Sequence, residues 1–454
     1  MREFGPVTLR TIVAVVPVIA AYFIPWPLVA PETRLLLLGA AATFVVLVAR
    51  SSLPLAFFQA ALWMGLVAIE PAPVDAVLPA LALYALLSPE ARARMGLESG
   101  SRRMSRAPAS LIPLIMALFG IIGFVAVPGA PDVGEALAFQ GTTCYLALVG
   151  AWLALCLGDE GLRRAVTAGW LVSGLVVSVL GLLALAIPGS DWQGVFVWHG
   201  RAAATLKDPN MFGSFVAFPF LVILSQVWIS ATATRPPSRS PTRRWAGPLL
   251  VVFSAAALSS MSRGTWLGLA VSAVVMAAVW GWGEANKRRP RLEIGPTVLW
   301  IPAAAIAAVG YVAVVGKTSL LVGRLGIQSY DAVRWATQAD GAAALFRQPV
   351  KWFAGLGPGS FEVLFAQAAH NTFLRLAVET GVVSLVILIL IYVLSVRAQL
   401  AQVADRGNAL EFGALGFLVF TFVYGAFIDT LHWRHLWFAL AVAAPFGART
   451  ARTG

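Results

Sequence analysis

Side chains that could do chemistry concentrate in one stretch, residues 316–381, which is too polar to lie in lipid over most of its length. It contains the pair His370-Asn371, just before a new apolar run begins. A histidine has an ordinary pKa near 6.5 and can accept a proton at neutral pH, so His370 is the predicted general base. A helix cap or a bond to a loop carbonyl is the structural alternative. The stretch also contains the basic residues Arg324, Arg334, Arg347 and Lys351 and a glycine-rich turn formed by Gly355, Gly357 and Gly359.

Arg334 lies in a segment with helical spacing, residues 330–346. Its alanines, Trp335 and Phe346 recur at steps of three and four, whereas Asp331, Arg334 and Gln338 fall on the other face. This pattern predicts an amphipathic helix at a membrane surface. An arginine there can donate two parallel N–H groups to a phosphate or diphosphate. The alternative is a helix ion pair with Asp331, three residues earlier.

A second group of polar residues precedes or separates apolar runs at 201–210 and 262–264. Asp208 followed by Pro209 predicts a helix start. Arg201, Asp208 and Asn210 are predicted substrate-binding residues, and for Asp208 and Asn210 a structural role in this helix start is the alternative. Arg263 lies between two apolar runs, where a guanidinium near hydrocarbon costs on the order of 3 kcal/mol. It therefore either reaches the interface or serves an anionic ligand. Arg201 would add positive charge to the same region.

Four further residues complete the predicted substrate-binding set. The turn around Gly357 could bring backbone close to a sugar or phosphate, and Glu362 is a possible orienting partner for His370. Arg347 and Asn371 lie in the same stretch. No spacing of Asp, Glu, His or Cys indicates a metal site, and no nucleotide-binding motif is present. The sequence therefore predicts neither a metal nor a cofactor.

Composition places these residues in a membrane protein. The chain has 454 residues, of which 59% are hydrophobic and 12% charged, whereas soluble domains carry about 25% charged residues. Repeated runs of roughly 20 apolar residues predict an all-α polytopic fold of twelve to fourteen transmembrane helices. The positive residues behind the net charge of +12 lie mostly in short loops, so nucleic acid is not a predicted partner. Membrane lipids are predicted partners.

Basic residues predict the orientation of the spans. With the amino terminus in the cytoplasm, the inside loops hold 22 of the 33 Lys and Arg residues. This arrangement puts both termini inside and the long loop 315–371, with its short helices, outside. All four histidines then fall on the outer side, although histidines also favour interfaces in general. The predicted segments are amino-terminal helices 1–200, a core 201–400 and carboxy-terminal helices 401–454.

Five pieces of the sequence, in this order, resemble the O-antigen ligase and O-antigen polymerase superfamily of bacterial envelope glycosyltransferases. They cover roughly residues 200–400, whereas the first six spans match only in hydrophobicity. The pieces are Asp208-Pro209-Asn210, Ser262-Arg263-Gly264, Arg334 in the long loop, residues 349–361 (PVKWFAGLGPGSF), and His370-Asn371 with the following TFLRLAVETG.

The resemblance implies a C-type glycosyltransferase fold in the bacterial inner membrane with an extracytoplasmic active site. The implied reaction moves a glycan from undecaprenyl diphosphate to an acceptor hydroxyl, without a metal. By resemblance, the catalytic residues are Arg263, Arg334 and His370. Ligases and polymerases share these motifs, and the span count leans toward a polymerase. The implied partners are a lipid-linked oligosaccharide, a lipid or glycan acceptor, and other glycan-assembly proteins.

Two other classes of protein remain open. A transporter or flippase of lipid-linked glycan also needs many spans and an anion-binding vestibule. It predicts charges near the membrane midplane and broken helices in both halves of the chain, and the sequence shows no clear case of either. A scaffolding membrane protein is the second alternative, but it leaves the arginine- and histidine-bearing loop unexplained.

Overall fold

The computed structural model describes residues 9–23, 30–67, 70–94, 111–187, 189–232, 241–286, 296–365 and 367–444. These residues are almost entirely helical, with one two-stranded antiparallel hairpin of β1 (Val197–Trp198) and β2 (Arg201–Ala202). The helices are α1 (Leu9–Ala21), α2 (Pro31–Ser51), α3 (Leu53–Trp63), α4 (Pro73–Leu87), α5 (Pro89–Arg94), α6 (Ile112–Ile122), α7 (Val133–Cys156), α8 (Glu160–Ala186), α9 (Asp191–Phe196), α10 (Pro209–Thr232), α11 (Pro241–Ser259), α12 (Arg263–Asn286), α13 (Trp300–Val314), α14 (Thr318–Leu325), α15 (Ser329–Arg347), α16 (Lys351–Ala354), α17 (Phe361–Phe365), α18 (Thr372–Arg406), α19 (Ala409–Gly425) and α20 (Arg434–Ala443).

The chain is an all-α, multi-pass membrane protein, as the composition predicted. Among the described residues, eight helices are long and apolar enough to cross a membrane, and five shorter apolar helices have 10–17 residues. Large apolar side chains such as Leu36 and Ile306 are more than 70% exposed, which suits contact with lipid rather than water. The predicted total of twelve to fourteen spans stays a prediction.

Local sequence explains where several of these helices begin. Asp132 and Asp159 each accept a backbone N–H three residues later, at 2.9 Å, and so cap α7 and α8. Ser52 followed by Leu53-Pro54 starts α3 in the same way, with Pro within the first turn. Such caps satisfy N–H groups that a helix start leaves without partners.

The chain forms two compact units, and neither is continuous in sequence. Unit 1 comprises residues 1–102, 159–323 and 402–417; unit 2 comprises residues 103–158, 324–401 and 418–454. Each unit draws on more than one of the three segments that the sequence predicted. That linear division stays a prediction.

Unit 1 is held by aromatic packing and by one buried ion pair. Trp170 of α8 stacks on Phe218 of α10 with ring centroids 4.1 Å apart and meets Phe417 of α19 edge-on at 5.4 Å. Arg163 binds both carboxylate oxygens of Glu411, and both side chains are almost fully buried (1% and 0% exposed). Such a bidentate pair links α8 to α19 and is costly to break where it is buried.

Unit 2 packs helix on helix through small residues. A Cβ atom at Gly150 of α7 would meet Trp437 of α20 at 3.2 Å, so the glycine lets these helices approach closely. Phe119 of α6 lies against the same tryptophan, with centroids 5.7 Å apart. A second cluster joins Leu345 of α15, Phe361 of α17 and Val378 of α18. It ties α15 and α17 to the start of α18.

The basic loops from which the orientation was predicted fall mostly outside the described residues. They include residues 95–110, 233–240, 287–295 and 445–454. The assignment of both termini to the cytoplasm and of residues 315–371 to the outer side therefore stays a prediction.

Candidate functional site

The predicted site residues divide between the two units. Arg201, Asp208, Asn210 and Arg263 belong to unit 1. The larger group belongs to unit 2 and comprises Arg334, Arg347, Gly357, Glu362, His370 and Asn371.

His370 lies between α17 and α18 in a strained backbone conformation. Its φ is +46°, which lies in the left-handed region that residues other than glycine rarely adopt. Such a conformation costs of order 1–3 kcal/mol. Asn371 caps α18, because its Oδ1 accepts the N–H of Leu374 at 3.0 Å. Gln338 of α15 donates to the carbonyl oxygen of Ala369 at 2.9 Å. The histidine is thus fixed on one side by the start of a membrane helix and on the other by α15.

Charged neighbours and burial keep the His370 imidazole neutral. Burial lowers its pKa to about 4, helped by the positive charges of Arg334 and Arg375 and opposed by Asp429. A positive neighbour disfavours the imidazolium form. At neutral pH the ring therefore has an unprotonated nitrogen that can accept a proton, as the sequence predicted, although the pKa lies below the ordinary value assumed there.

Arg334 projects from the polar face of α15 beside an aromatic ring. Its guanidinium lies 4.8 Å from the ring centroid of Tyr330, and Arg324 donates a hydrogen bond to the Tyr330 hydroxyl. The prediction of a helix here is confirmed. The face of α15 that carries Asp331, Thr337 and Gly341 is buried. Trp335 on the same helix is 58% exposed.

Arg375 is the centre of a charge cluster that the sequence analysis did not include in the site. Its guanidinium donates to Glu379 (3.1 Å), Asp429 (2.7 Å) and Glu362 (2.8 Å). It also lies 4.5 Å from the ring centroid of Phe139. Glu362, predicted to orient His370, is therefore a partner of Arg375, and Asp429 is the carboxylate that acts on His370.

Phe139 connects this cluster to a second histidine. The ring of His432 lies 4.2 Å from that of Phe139, and its Nε2 is 2.9 Å from the Thr143 hydroxyl. One face of unit 2 thus brings together two histidines, two arginines and three carboxylates.

The glycine-rich turn packs against a break in α18. Gly381 has φ +86° and interrupts the helix, which leaves carbonyl groups before it without helical partners. The N–H groups of Leu356 and Gly357 donate to the carbonyl oxygens of Val378 and Glu379, at 2.8 and 3.0 Å. A Cβ atom on Gly355 would lie 2.2 Å from the Glu379 oxygen. Backbone-to-backbone contact within the protein therefore accounts for these glycines, and Gly357 is buried.

Arg347 lies elsewhere on α15. It is exposed in the last turn, 13 residues from Arg334 and so about 20 Å along the axis. A cation at this end complements the helix dipole. The structure does not bring it to His370.

In unit 1, a second basic cluster forms at the starts of α10 and α12. Arg201 follows a tight hairpin turn and donates to the Ser260 carbonyl (2.9 Å) and to Asn210 Oδ1 (3.0 Å). Asp208 accepts the N–H groups of Asn210 and Met211 at 2.7 and 3.1 Å, so its predicted cap is confirmed. Burial raises the pKa of Asp208, against the effect of those bonds and of Arg201.

Arg263 occupies the first position of α12, where a cation is unfavourable. A helix start carries partial positive charge and exposes N–H groups. Arg201 is bonded to the carbonyl of Ser260 in the preceding turn, so two cations lie at this helix start. The Asp208 carboxylate offsets the charge of Arg201.

No protein-family model matches the chain, and no curated protein is similar to it at a significant level. Within the described residues, no group of three or more His, Cys, Asp or Glu side chains is placed to hold a metal ion.

Proposed function

We propose that this protein is an inverting, metal-independent glycosyltransferase of the O-antigen ligase or polymerase type. It would transfer a glycan from undecaprenyl diphosphate to an acceptor hydroxyl on the outer face of the cytoplasmic membrane. Its fold would be of the C type, with residues 315–371 as the extracytoplasmic loop. The observation that carries the proposal is a neutral His370 flanked by Arg334 and Arg375 at the start of a membrane helix.

The reaction needs a base for the acceptor and positive charge for the leaving group. The acceptor hydroxyl gives its proton to the unprotonated nitrogen of His370 as its oxygen bonds to the anomeric carbon. The bond from that carbon to the phosphate oxygen breaks, and its electron pair leaves on undecaprenyl diphosphate. Arg334 stabilises the charge that develops there. Direct displacement inverts the anomeric centre.

The low pKa of His370 implies that the donor binds before the histidine acts as a base. The arginines weaken the histidine as a base while the donor is absent. A bound diphosphate offsets their charge and raises the His370 pKa, so the base strengthens only when the donor is in place.

Purified protein in lipid vesicles, supplied with lipid-linked oligosaccharide and acceptor, tests the proposal. Release of undecaprenyl diphosphate is followed over time. His370→Ala is expected to abolish release and to keep donor binding. Full turnover by this variant would remove the base assignment, and absence of release by the wild-type protein would overturn the activity itself.

A transporter of lipid-linked glycan is the second candidate, favoured by one observation. The helix α18 is broken at Gly381. Broken helices are typical of transporters. Movement of labelled glycan across the vesicle membrane without release of undecaprenyl diphosphate would favour this candidate.

A further inference from the structure

An apolar groove lies among α10, α12, α13 and α19 of unit 1. Its volume is about 270 Å³, and its walls include Trp228, Met276 and Trp280. The one hydroxyl among the lining residues, that of Ser225, donates to the carbonyl oxygen of Leu221 at 2.7 Å and is satisfied within its own helix. An apolar concavity of this kind accepts hydrocarbon, because every methylene that it buries favours binding.

The four helices contribute residues that lie close to their ends. Ile229 is three residues before the end of α10, and Trp280 is six residues before the end of α12. Ile301 and Phe412 lie in the first turns of α13 and α19. Because all four residues line one groove, these helix ends lie together on one side of unit 1.

The length of the groove matches one leaflet of a bilayer. Along α12, which is long and apolar enough to span a membrane, the lining residues run from Leu269 to Trp280. At 1.5 Å per residue this distance is about 16 Å. The hydrocarbon core of a bilayer is about 30 Å thick, so one leaflet contributes about 15 Å. A chain that enters near Trp280 therefore fills the groove without passing the midplane.

Tryptophan side chains mark the level of the lipid head groups at the same end of unit 1. Trp282 near the end of α12, Trp245 near the start of α11 and Trp300 at the start of α13 are 74%, 61% and 40% exposed. Exposed tryptophans at the ends of membrane helices are typical of the boundary between hydrocarbon and head groups.

Basic residues are abundant at this end. Arg244 is exposed in the first turn of α11. It lies one turn before Gly247, which packs against the Trp300 ring next to Ile301 of the groove. In the sequence, residues 233–244 hold four arginines and no acidic residue, and residues 287–291 hold four basic residues. Basic clusters beside membrane helices attract anionic head groups.

We infer that this groove holds one acyl chain of an anionic glycerophospholipid whose head group lies at Arg244. The lipid belongs to the leaflet at the carboxy-terminal end of α12, which the distribution of basic residues predicts to be the cytoplasmic one. It completes the packing between α10 and α12 and stabilises the folded protein by binding to it. The inference does not depend on the proposed function, since an enzyme and a transporter would use such a lipid equally.

Titration of two phospholipids onto full-length, delipidated protein in detergent tests this inference. Dioleoyl phosphatidylglycerol is anionic, whereas dioleoyl phosphatidylethanolamine carries the same chains on a head group without net charge. Ala273→Trp and Ala277→Phe each place a ring in the groove, whose wall both alanines form. Val274→Trp adds bulk at a neighbouring position that is 69% exposed and is the matched control.

Native mass spectrometry measures the affinities, and thermal unfolding checks that each variant is folded. Burial of one methylene is worth about fourfold in affinity, so both groove variants are expected to bind phosphatidylglycerol about tenfold more weakly or worse. Val274→Trp should keep the wild-type affinity. The lipid should raise the unfolding temperature of the wild-type protein and of Val274→Trp, but not that of the groove variants.

The head-group contact is tested by charge. The wild-type protein is expected to bind phosphatidylglycerol about fivefold more tightly than phosphatidylethanolamine, or better, because one basic residue near an anionic head group contributes a factor of that size. Arg244→Gln should lose about fivefold in affinity for phosphatidylglycerol and none for phosphatidylethanolamine.

Three results would overturn the inference. They are wild-type affinity of both groove variants for phosphatidylglycerol, equal binding of the two phospholipids by the wild-type protein, and tighter binding of undecaprenyl phosphate that the same groove variants abolish. The last result would assign the groove to an isoprenoid chain. None of these measurements requires turnover, so a failure of the proposed function leaves them unchanged.

Discussion

At the scale of single residues, the environment of His370 is the feature with the sharpest consequences. Burial and two arginines lower its pKa to about 4, from an unfolded value near 6.5. Between these values the folded protein binds fewer protons at this site than the unfolded chain does. This residue's contribution to stability is therefore complete above pH 6.5 and is lost as the pH falls toward 4.

The titration of His370 can be observed directly. In labelled protein in nanodiscs, the ring signals of His370 are expected to change near pH 4, as measured by NMR. Arg334→Gln removes a positive neighbour and should raise the pKa, whereas Arg397→Gln, at an exposed position late in α18, should not. A titration near pH 6.5 that is unaffected by Arg334→Gln would contradict this account.

The guanidinium geometry of Arg334 gives a second prediction at this scale. Lysine keeps the charge but cannot donate two parallel bonds to a diphosphate. Arg334→Lys is expected to lower kcat/KM about tenfold or more, measured by release of undecaprenyl diphosphate. Arg397→Lys serves as control and should retain the wild-type value. Equal rates for the two variants would argue against a forked contact.

The sequence could reveal those parts of the site that depend on residues close together in the chain, but not contacts between residues far apart in the chain. The cap at Asp208 and the helix around Arg334 are local features, and local spacing predicted both. Asp429 is 54 residues from Arg375, so no spacing rule connects them. A signal for Arg375 and Glu379 was available, because two charges one helical turn apart inside an apolar run need a partner.

At the scale of elements, the break in α18 and the turn 353–357 form one packed structure. Sequence hydropathy could not show it, because the run is apolar on average on through Gly381 despite Arg375 and Glu379, and hydropathy carries no information on backbone torsion angles. From sequence alone the glycine-rich turn is a candidate ligand loop, because a residue without a side chain lets either a ligand or another backbone segment approach closely. In the structure, the close partner is the protein's own backbone.

Glycine substitutions test this packing. Gly355→Ala adds a Cβ atom 2.2 Å from the Glu379 carbonyl oxygen at a residue with φ +70°, so it should destabilise the protein by roughly 2 kcal/mol or more. Gly310→Ala on α13, where a Cβ atom would meet nothing within 4 Å, is the control. Thermal unfolding in the same detergent compares them. Equal midpoints would show that the turn does not depend on this contact.

The buried pair Arg163-Glu411 gives a prediction about helix association. Arg163→Met leaves Glu411 buried without its bidentate partner and is expected to cost about 3–5 kcal/mol. Arg164 on the same helix is 54% exposed and pairs with Glu160, so Arg164→Met should cost about 1 kcal/mol or less. Denaturant unfolding measures both. Adding Glu411→Met should recover most of the loss, and a double variant as unstable as the single one would contradict the account.

At the scale of the whole molecule, orientation in the membrane is the quantity on which the proposed function depends. The excess of basic residues in alternate loops predicts that residues 315–371 lie outside the cytoplasm. A cysteine introduced at Val350, which is 83% exposed, should react with a membrane-impermeant maleimide on intact spheroplasts. A cysteine at Arg397 should react only after the membrane is opened. The reverse pattern would reject the extracytoplasmic site.

The glycine-rich turn, which packs against the break in α18 at Gly381, also limits which segments of this protein can be exchanged. Two loop amides satisfy two carbonyls of the membrane helix, so lifting the loop away would expose those carbonyls to hydrocarbon, at several kcal/mol apiece. Exchange of this loop with that of another protein should therefore carry the first ten residues of the helix along with the loop. A chimera joined between Gly359 and Thr372 would combine the glycine-rich turn of one parent with the broken helix of the other parent.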